Sequence, residues 1–326
     1  MTETRSQTTY IEGTAGGNTN REDLGNVLFM VSPWETPGLS AMKRNSATAT
    51  SHDWPVDKLR AAKSNAVLEG ADAAGAPAAA RTRLANTLQI IEGTAEVSGS
   101  QEKVMKAGGV TSELNHQTVK EGKSMKTDFE YEVFGLATGK VGGDVSTARK
   151  MGGLTSYLSG DSFLSAGGDG TAPTGNGVMG SYAPGTGTDF TEELLKTASS
   201  ALWQRSNGGE SIMALMGPYN RSVFSTFPGI GLERRVSTDD AKLQASLAVY
   251  SGDYHVITAV PDRFTRENAC YLVDPEYLAC SELRSFNTKD LAHIGDSVRR
   301  QLIWECTLEV CNPDAHAVID GLTTSA

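Results

Sequence analysis

Two strand-like runs, residues 51–57 (SHDWPVD) and 83–98 (RLANTLQIIEGTAEVS), enclose a stretch that cannot hold a shape by itself: residues 58–82, KLRAAKSNAVLEGADAAGAPAAART. It is mostly alanine, glycine and charge, so it has little apolar surface to set against the entropy of ordering it. Compact domains rarely carry structureless connections of this length, and those that do use them for function or leave them disordered. The run 83–98 then changes faces. Leu84, Leu88 and Ile90 share one parity and Ile91, Ala95 and Val97 the other, which predicts a bulge near Ile90–Ile91, where the strand passes from one environment to another. A hairpin projecting from a body fits both observations, and its tip needs another molecule to cover it.

The residues that follow repeat the theme. Within 111–137, Leu114, Thr118, Met125, Phe129, Val133 and Leu136 form a thin apolar stripe at helical spacing, interrupted only by Gly122. Residues 139–188 are rich in Gly, Ser and Thr and predict an irregular region with a flexible tip near 167–187. Asp189 is placed to cap a helix over 190–206, with Leu194, Leu195, Ala198, Leu202 and Trp203 on one face. A buried strand is expected at 211–216, a helix opened by Pro218 as far as 227, and strand-type runs over 235–260 and 271–274. From 297 the chain alternates as a long strand. Val298, Leu302, Trp304, Cys306, Leu308 and Val310 lie on one side and Arg299, Ile303, Glu305, Thr307 and Glu309 on the other, up to a turn at Asn312–Pro313. At the other end, residues 1–20 read as a polar extended arm, 21–30 as a short helix carrying Leu24, Val27 and Leu28, and 34–41 as extended chain. Helices and strands mix without βαβ regularity, so the fold class is α+β.

Composition removes several functions. The 326 residues are 39% hydrophobic and 21% charged, ordinary for a globular chain, and no window approaches a membrane span or a signal peptide. A net charge of −10 argues against a protein that wraps nucleic acid, which needs clustered Lys and Arg. Cys270, Cys280, Cys306 and Cys311 form no CxxC pair and read as free thiols, with neither a metal site nor a disulfide expected.

Enzyme-like strings have plainer explanations. Gly175–Gly180 spells GxGxxG, but its flanks supply neither the strand nor the helix that dinucleotide binding requires. Gly-Asp-Ser at 160–162 and 295–297 would offer Ser162 or Ser297 as a nucleophile, yet no GxSxG elbow exists and none of the five histidines is fixed as a base. Asp239–Asp240 and Glu192–Glu193 read as solvated acids, and Arg234–Arg235 and Arg299–Arg300 as pairing groups between subunits. No catalytic, cofactor or metal residue is therefore expected.

The order of segments resembles the HK97-like major capsid protein fold of tailed bacteriophages, and is most similar to the SU10 major capsid protein family. The resemblance rests on NREDLGNVLFMVSPWETP, HDWPVDKL, NAVLEG, VSGSQEKVMKAGG, ARKMGG, GPYNRSVFSTF, VDPEYLACSELRSF and LAHIGDSVRRQLIWECTLEVCNPDAHAVIDGL, in that order over nearly the whole chain. It implies an N-terminal arm (1–50), an E-loop with flanking strands (51–98), a P-domain spine helix with a Gly-rich excursion (99–187), an axial A-domain (188–260) and a return to the P-domain sheet (261–326). It further implies a structural protein of the virion capsid, assembled in the host cytoplasm. Pentamers and hexamers of the chain would close an icosahedral shell around double-stranded DNA contacted non-specifically, with a portal and a scaffold or decoration protein as partners and no membrane. Neighbour contacts are expected at Tyr10 and Ile11 in the arm and at Trp54, Val67, Leu68, Arg81 and Arg83 in the E-loop. The short stretch ahead of the E-loop departs from relatives whose longer leading segment is cleaved, and implies a separate scaffold or none. Lys58 and Lys63 read as ordinary exposed lysines rather than crosslinking groups. The alternatives are an encapsulin-like nanocompartment shell and a soluble hydrolase.

Overall fold

The computed structural model describes residues 32–72, 75, 80–106, 110–206, 209–227, 249–293 and 295–325. Tyr10, Ile11, the helix expected at 21–30, the arginines 234–235 and the aspartates 239–240 lie outside them. In chain order the elements are α1 (Pro37–Ala41), β1 (Lys43–Ser46), β2 (Ser51–Val56), β3 (Thr82–Thr87), β4 (Gln89–Ser98), α2 (Gly99–Lys103) and α3 (Glu113–Glu130). They continue with β5 (Phe163–Ser165), α4 (Glu192–Arg205), β6 (Ser211–Met216), α5 (Pro218–Phe224), β7 (Val249–Ser251), β8 (Val256–Pro261), β9 (Ala269–Val273), β10 (Leu278–Asp290), β11 (Ser297–Val310) and β12 (Ala317–Asp320).

Three sheets result: β1-β10-β11-β4, β5-β12-β9-β6-β8-β7, and the two-stranded β2-β3. Parallel and antiparallel pairings mix in the first two, as an α+β fold requires. The thin stripe of α3 buries Leu114, Met125, Phe129 and, one turn beyond, Val133; Met125, Phe129 and Val133 pack with Ile91, Leu302 and Trp304 of the four-stranded sheet. Phe129 lies 5.1 Å from the Trp304 ring. Ser112 caps the helix by accepting the Asn115 N–H at 3.3 Å. At its far end the helix widens into a π-turn, Tyr131–Gly135.

Several expectations shift. The change of faces comes at Leu88, between β3 and β4, and not at Ile90–Ile91: Leu88 is fully buried, Ile90 is exposed and Ile91 buried. The chain there leaves the two-stranded sheet for the four-stranded one, so one strand end suffices and no bulge is needed. Thr191, rather than Asp189, caps α4, its Oγ1 accepting the Leu194 N–H at 3.3 Å. Trp203 does not join Leu195, Ala198 and Leu202 inside; it is 57% exposed and pairs with Tyr254, ring centroids 5.2 Å apart. Both faces of β11 are buried, because the segments around Thr87 and Arg149 lie over the second one. Thr307 Oγ1 donates to Thr87 O at 2.9 Å and Glu305 accepts from Arg149 at 2.7 Å and Arg284 at 2.6 Å.

Nor do residues 188–260 stand as a closed unit. The six-stranded sheet borrows β5, β9 and β12 from either side, so the C-terminal strands split: β11 returns to the four-stranded sheet and β12 to the other. A buried cluster ties the Gly-rich excursion to this sheet. Tyr182 Oη donates to Asp320 Oδ2 at 2.5 Å, Arg266 Nη2 reaches the same oxygen at 2.9 Å, and Arg266 Nε donates to Tyr271 Oη at 3.1 Å. The GxGxxG string is a tight turn here, with a Gly175–Val178 bridge and left-handed backbone at Gly175, Asn176, Gly177 and Gly180, which glycine accepts without strain.

Candidate assembly surfaces

The β2–β3 hairpin is fastened at its root and bare at its tip. Six residues pair in antiparallel register from Ser51↔Thr87 to Val56↔Thr82. Trp54 is 7% exposed, its indole N–H donating to Val310 O at 2.9 Å. Asn86, fully buried, donates to Leu308 O at 2.8 Å and accepts from the Gly152 N–H at 2.8 Å. Ala85 is held from two sides: its carbonyl accepts from Lys140 Nζ at 2.7 Å and Tyr157 Oη at 2.9 Å, and its N–H donates to Asn176 Oδ1 at 2.9 Å. His52 Nε2 stands 3.1 Å from Glu309 Oε2. Burial pushes the Glu309 carboxyl up, but hydrogen bonds from Asn45, Ser281 and His52 outweigh it and leave the group below the usual value.

Beyond this root the described residues of the connection, 57–72, 75, 80 and 81, are all exposed. Leu59 is 99% exposed, Val67 83% and Leu68 84%. Single exposed apolar residues are commonplace, but three on one unsupported segment are not explained by anything in their own subunit. Lys58 turns back to pair with Asp314. Arg81 stands 3.5 Å from Asp57 and Arg83 pairs with Asp53, both across the hairpin with their side chains largely in solvent. Such exposed pairs contribute about 0–1 kcal/mol and remain available to a further partner.

Of the predicted contact residues, then, Val67, Leu68, Arg81 and Arg83 lie on the exposed hairpin, while Trp54 does not. Its indole fills the subunit's own core, which excludes it from an interface with a neighbour. Two further exposed aromatic features carry no sequence signal of their own: the Trp203–Tyr254 pair, and Trp34, 48% exposed with Lys123 Nζ 4.0 Å from its ring centroid. Trp203 sits where a helical stripe wants an apolar residue, so sequence periodicity alone assigns it inside.

The nucleophile candidates are built into structure. Ser162 is buried and accepts from Arg205, and the backbone of Ser297 pairs with Ser98 in the sheet. Ser199 Oγ does lie 3.0 Å from His255 Nδ1, but both are buried between α4 and the sheet, and burial pushes the His255 pKa down. Cys270, Cys280, Cys306 and Cys311 are free, the first three buried. Among the described residues no cluster of His, Cys, Asp or Glu could hold a metal, and no helix is long and apolar enough to cross a membrane.

The sequence matches no curated protein. The solved structures it resembles are capsids. The capsid of a native GTA particle superposes with a TM-score of 0.62 at 14% identity, covering 95% of this chain and 98% of that one. The cyanophage A-1(L) capsid asymmetric unit gives 0.60 at 14% identity over 93% and 97%. Mycobacterium phage Adephagia gives 0.55 at 12% identity over 92% and 94%. The fold is thus the HK97-like capsid fold. The model of the SU10 major capsid protein family matches residues 4–323, so the chain belongs to that family and its role is structural, a subunit that associates with its own copies to form a phage shell.

Proposed function

We propose that this subunit closes an icosahedral shell through rings of five and six copies, and that the β2–β3 hairpin is the E-loop by which each copy reaches the next. The observation that carries the reading is the contrast within the hairpin: a root held by Trp54, Asn86 and Ala85, and a tip whose Leu59, Val67 and Leu68 have nothing beneath them. Rings of this kind need head-to-tail contacts, in which a projection of one copy meets a different surface of its neighbour. Val67 and Leu68 supply apolar contact, Arg81 and Arg83 charge at the hairpin base, and Tyr10 and Ile11 a second reach through the arm. Strands β6–β8 with α4 and α5 form the part nearest the ring axis, where the Trp203–Tyr254 pair meets adjacent copies. Double-stranded DNA is the content, and the acidic net charge of −10 keeps the wall from clinging to it. A portal completes the shell, which assembles in the host cytoplasm. The subunit performs no catalysis: the contact between Ser199 and His255 is sealed from any substrate. Membership of a capsid family favours this reading over a cargo-holding nanocompartment. The test is the paired variant Val67→Asp/Leu68→Asp. It should keep the wild-type circular dichroism and melting temperature of the subunit while losing the particles seen in electron microscopy. Normal particles from this variant would refute the role.

A further inference from the structure

The end of α3 carries a buried acid that the shell reading does not use. Glu130 is fully buried, and its two oxygens each accept one backbone N–H, from Gly38 and from Leu39, both at 2.6 Å. These two N–H groups belong to α1, at the root of the N-terminal segment. The fit is close. A Cβ on Gly38 would lie 2.3 Å from the Phe134 ring and 2.7 Å from Glu130 Oε1, so only glycine lets α1 sit there. The clamp stands where α3 gives way to the π-turn Tyr131–Gly135, a register change common at functional points of helices.

We propose that Glu130 makes this root a proton-sensitive joint, tight while its carboxyl is protonated and looser once it is ionised. The surroundings favour the neutral form. Burial raises its pKa first and the carboxylate of Asp262 next, against the two N–H bonds, and the balance stands at about 7, up from 4.5. Other charges are placed elsewhere. Residues 37–41 of α1 contribute none, Glu35, Lys123, Lys126 and Arg263 line the adjoining groove, Glu132 lies on the π-turn, and Arg266 is engaged by Asp320.

The sign follows from linkage. In the closed joint the group holds its proton to about pH 7, whereas in the open joint, in water, it holds it only to its ordinary 4.5. Protons therefore favour the closed form. Opening grows as pH rises from about 4.5 towards 7, by up to about tenfold per unit, and levels off above. A neutral carboxyl still has lone pairs for both N–H groups, so closure survives protonation. At the pH of a cell the joint is in its loosened range, and the arm can adjust its exit angle as copies meet.

The experiment is hydrogen–deuterium exchange of the full-length protein, followed on the peptide covering residues 36–42 between pH 5 and 8 and corrected for intrinsic exchange. Wild type should open roughly a hundredfold more at pH 7.5 than at pH 5. Glu130→Gln, which cannot ionise, should give a flat profile. Asp262→Asn, which removes the neighbouring charge, should level off at a lower pH with a smaller total rise, and it decides the matter alone if Glu130→Gln fails to fold. A flat wild-type profile, an unchanged slope in Glu130→Gln, or an unaltered curve in Asp262→Asn would overturn the proposal.

Discussion

Trp54 and Leu68 stand on the same hairpin and take opposite roles, decided by what lies under each side chain. Trp54→Ala removes a buried indole and its bond to the Val310 carbonyl, so it should destabilise the subunit by about 3–5 kcal/mol, read from urea denaturation. Leu68 is mostly in solvent, and Leu68→Ala should change subunit stability by less than about 0.5 kcal/mol. A comparable loss for both would mean that the tip is packed in the free subunit. This difference is only half legible in the sequence. Parity within SHDWPV does not say which face meets the body, and the partner of Trp54 lies 256 positions away. The same distance hides the buried polar residues. Glu305 reads as an outer-face residue by alternation, and only Arg149 and Arg284, brought over it by other segments, make its burial tolerable. Asn86 does leave a trace, a polar residue one position from the buried Thr87–Leu88 corner, where a side chain that can both donate and accept is needed to hold the turn between two sheets.

Elements are more legible than residues where their side-chain period alone reports burial. The stripe of α3 and the alternation of β11 can be read directly, because Met125, Phe129, Trp304 and Leu308 repeat at the spacing their backbones impose. What cannot be read is how elements are shared between sheets, since pairings such as β5 with β12 join residues 163–165 to 318–320. The junction that makes this sharing possible is the Arg266, Tyr182 and Asp320 cluster. Arg266→Leu leaves Asp320 buried without its cation and should cost about 3–5 kcal/mol. Arg266→Leu/Asp320→Leu should recover part of that loss, as a double-mutant cycle in chemical denaturation will show. Additive losses would mean that the pair is not coupled.

At the scale of the whole molecule, the chain folds a complete core and still leaves one projection without support. The scarcity of large apolar residues in 58–82 makes this legible in the amino-acid sequence alone, because a segment that cannot bury itself must be covered by something else. In a closed shell each copy both gives and receives such a contact. Modest interfaces then act together, and losing one subunit requires breaking several at once. The most direct test is a cryo-electron microscopy map of the assembled particle, read at Val67 and Leu68. Van der Waals contact between these side chains and a neighbouring copy is the result expected; a tip folded onto its own subunit, or left in solvent in the finished shell, would contradict it.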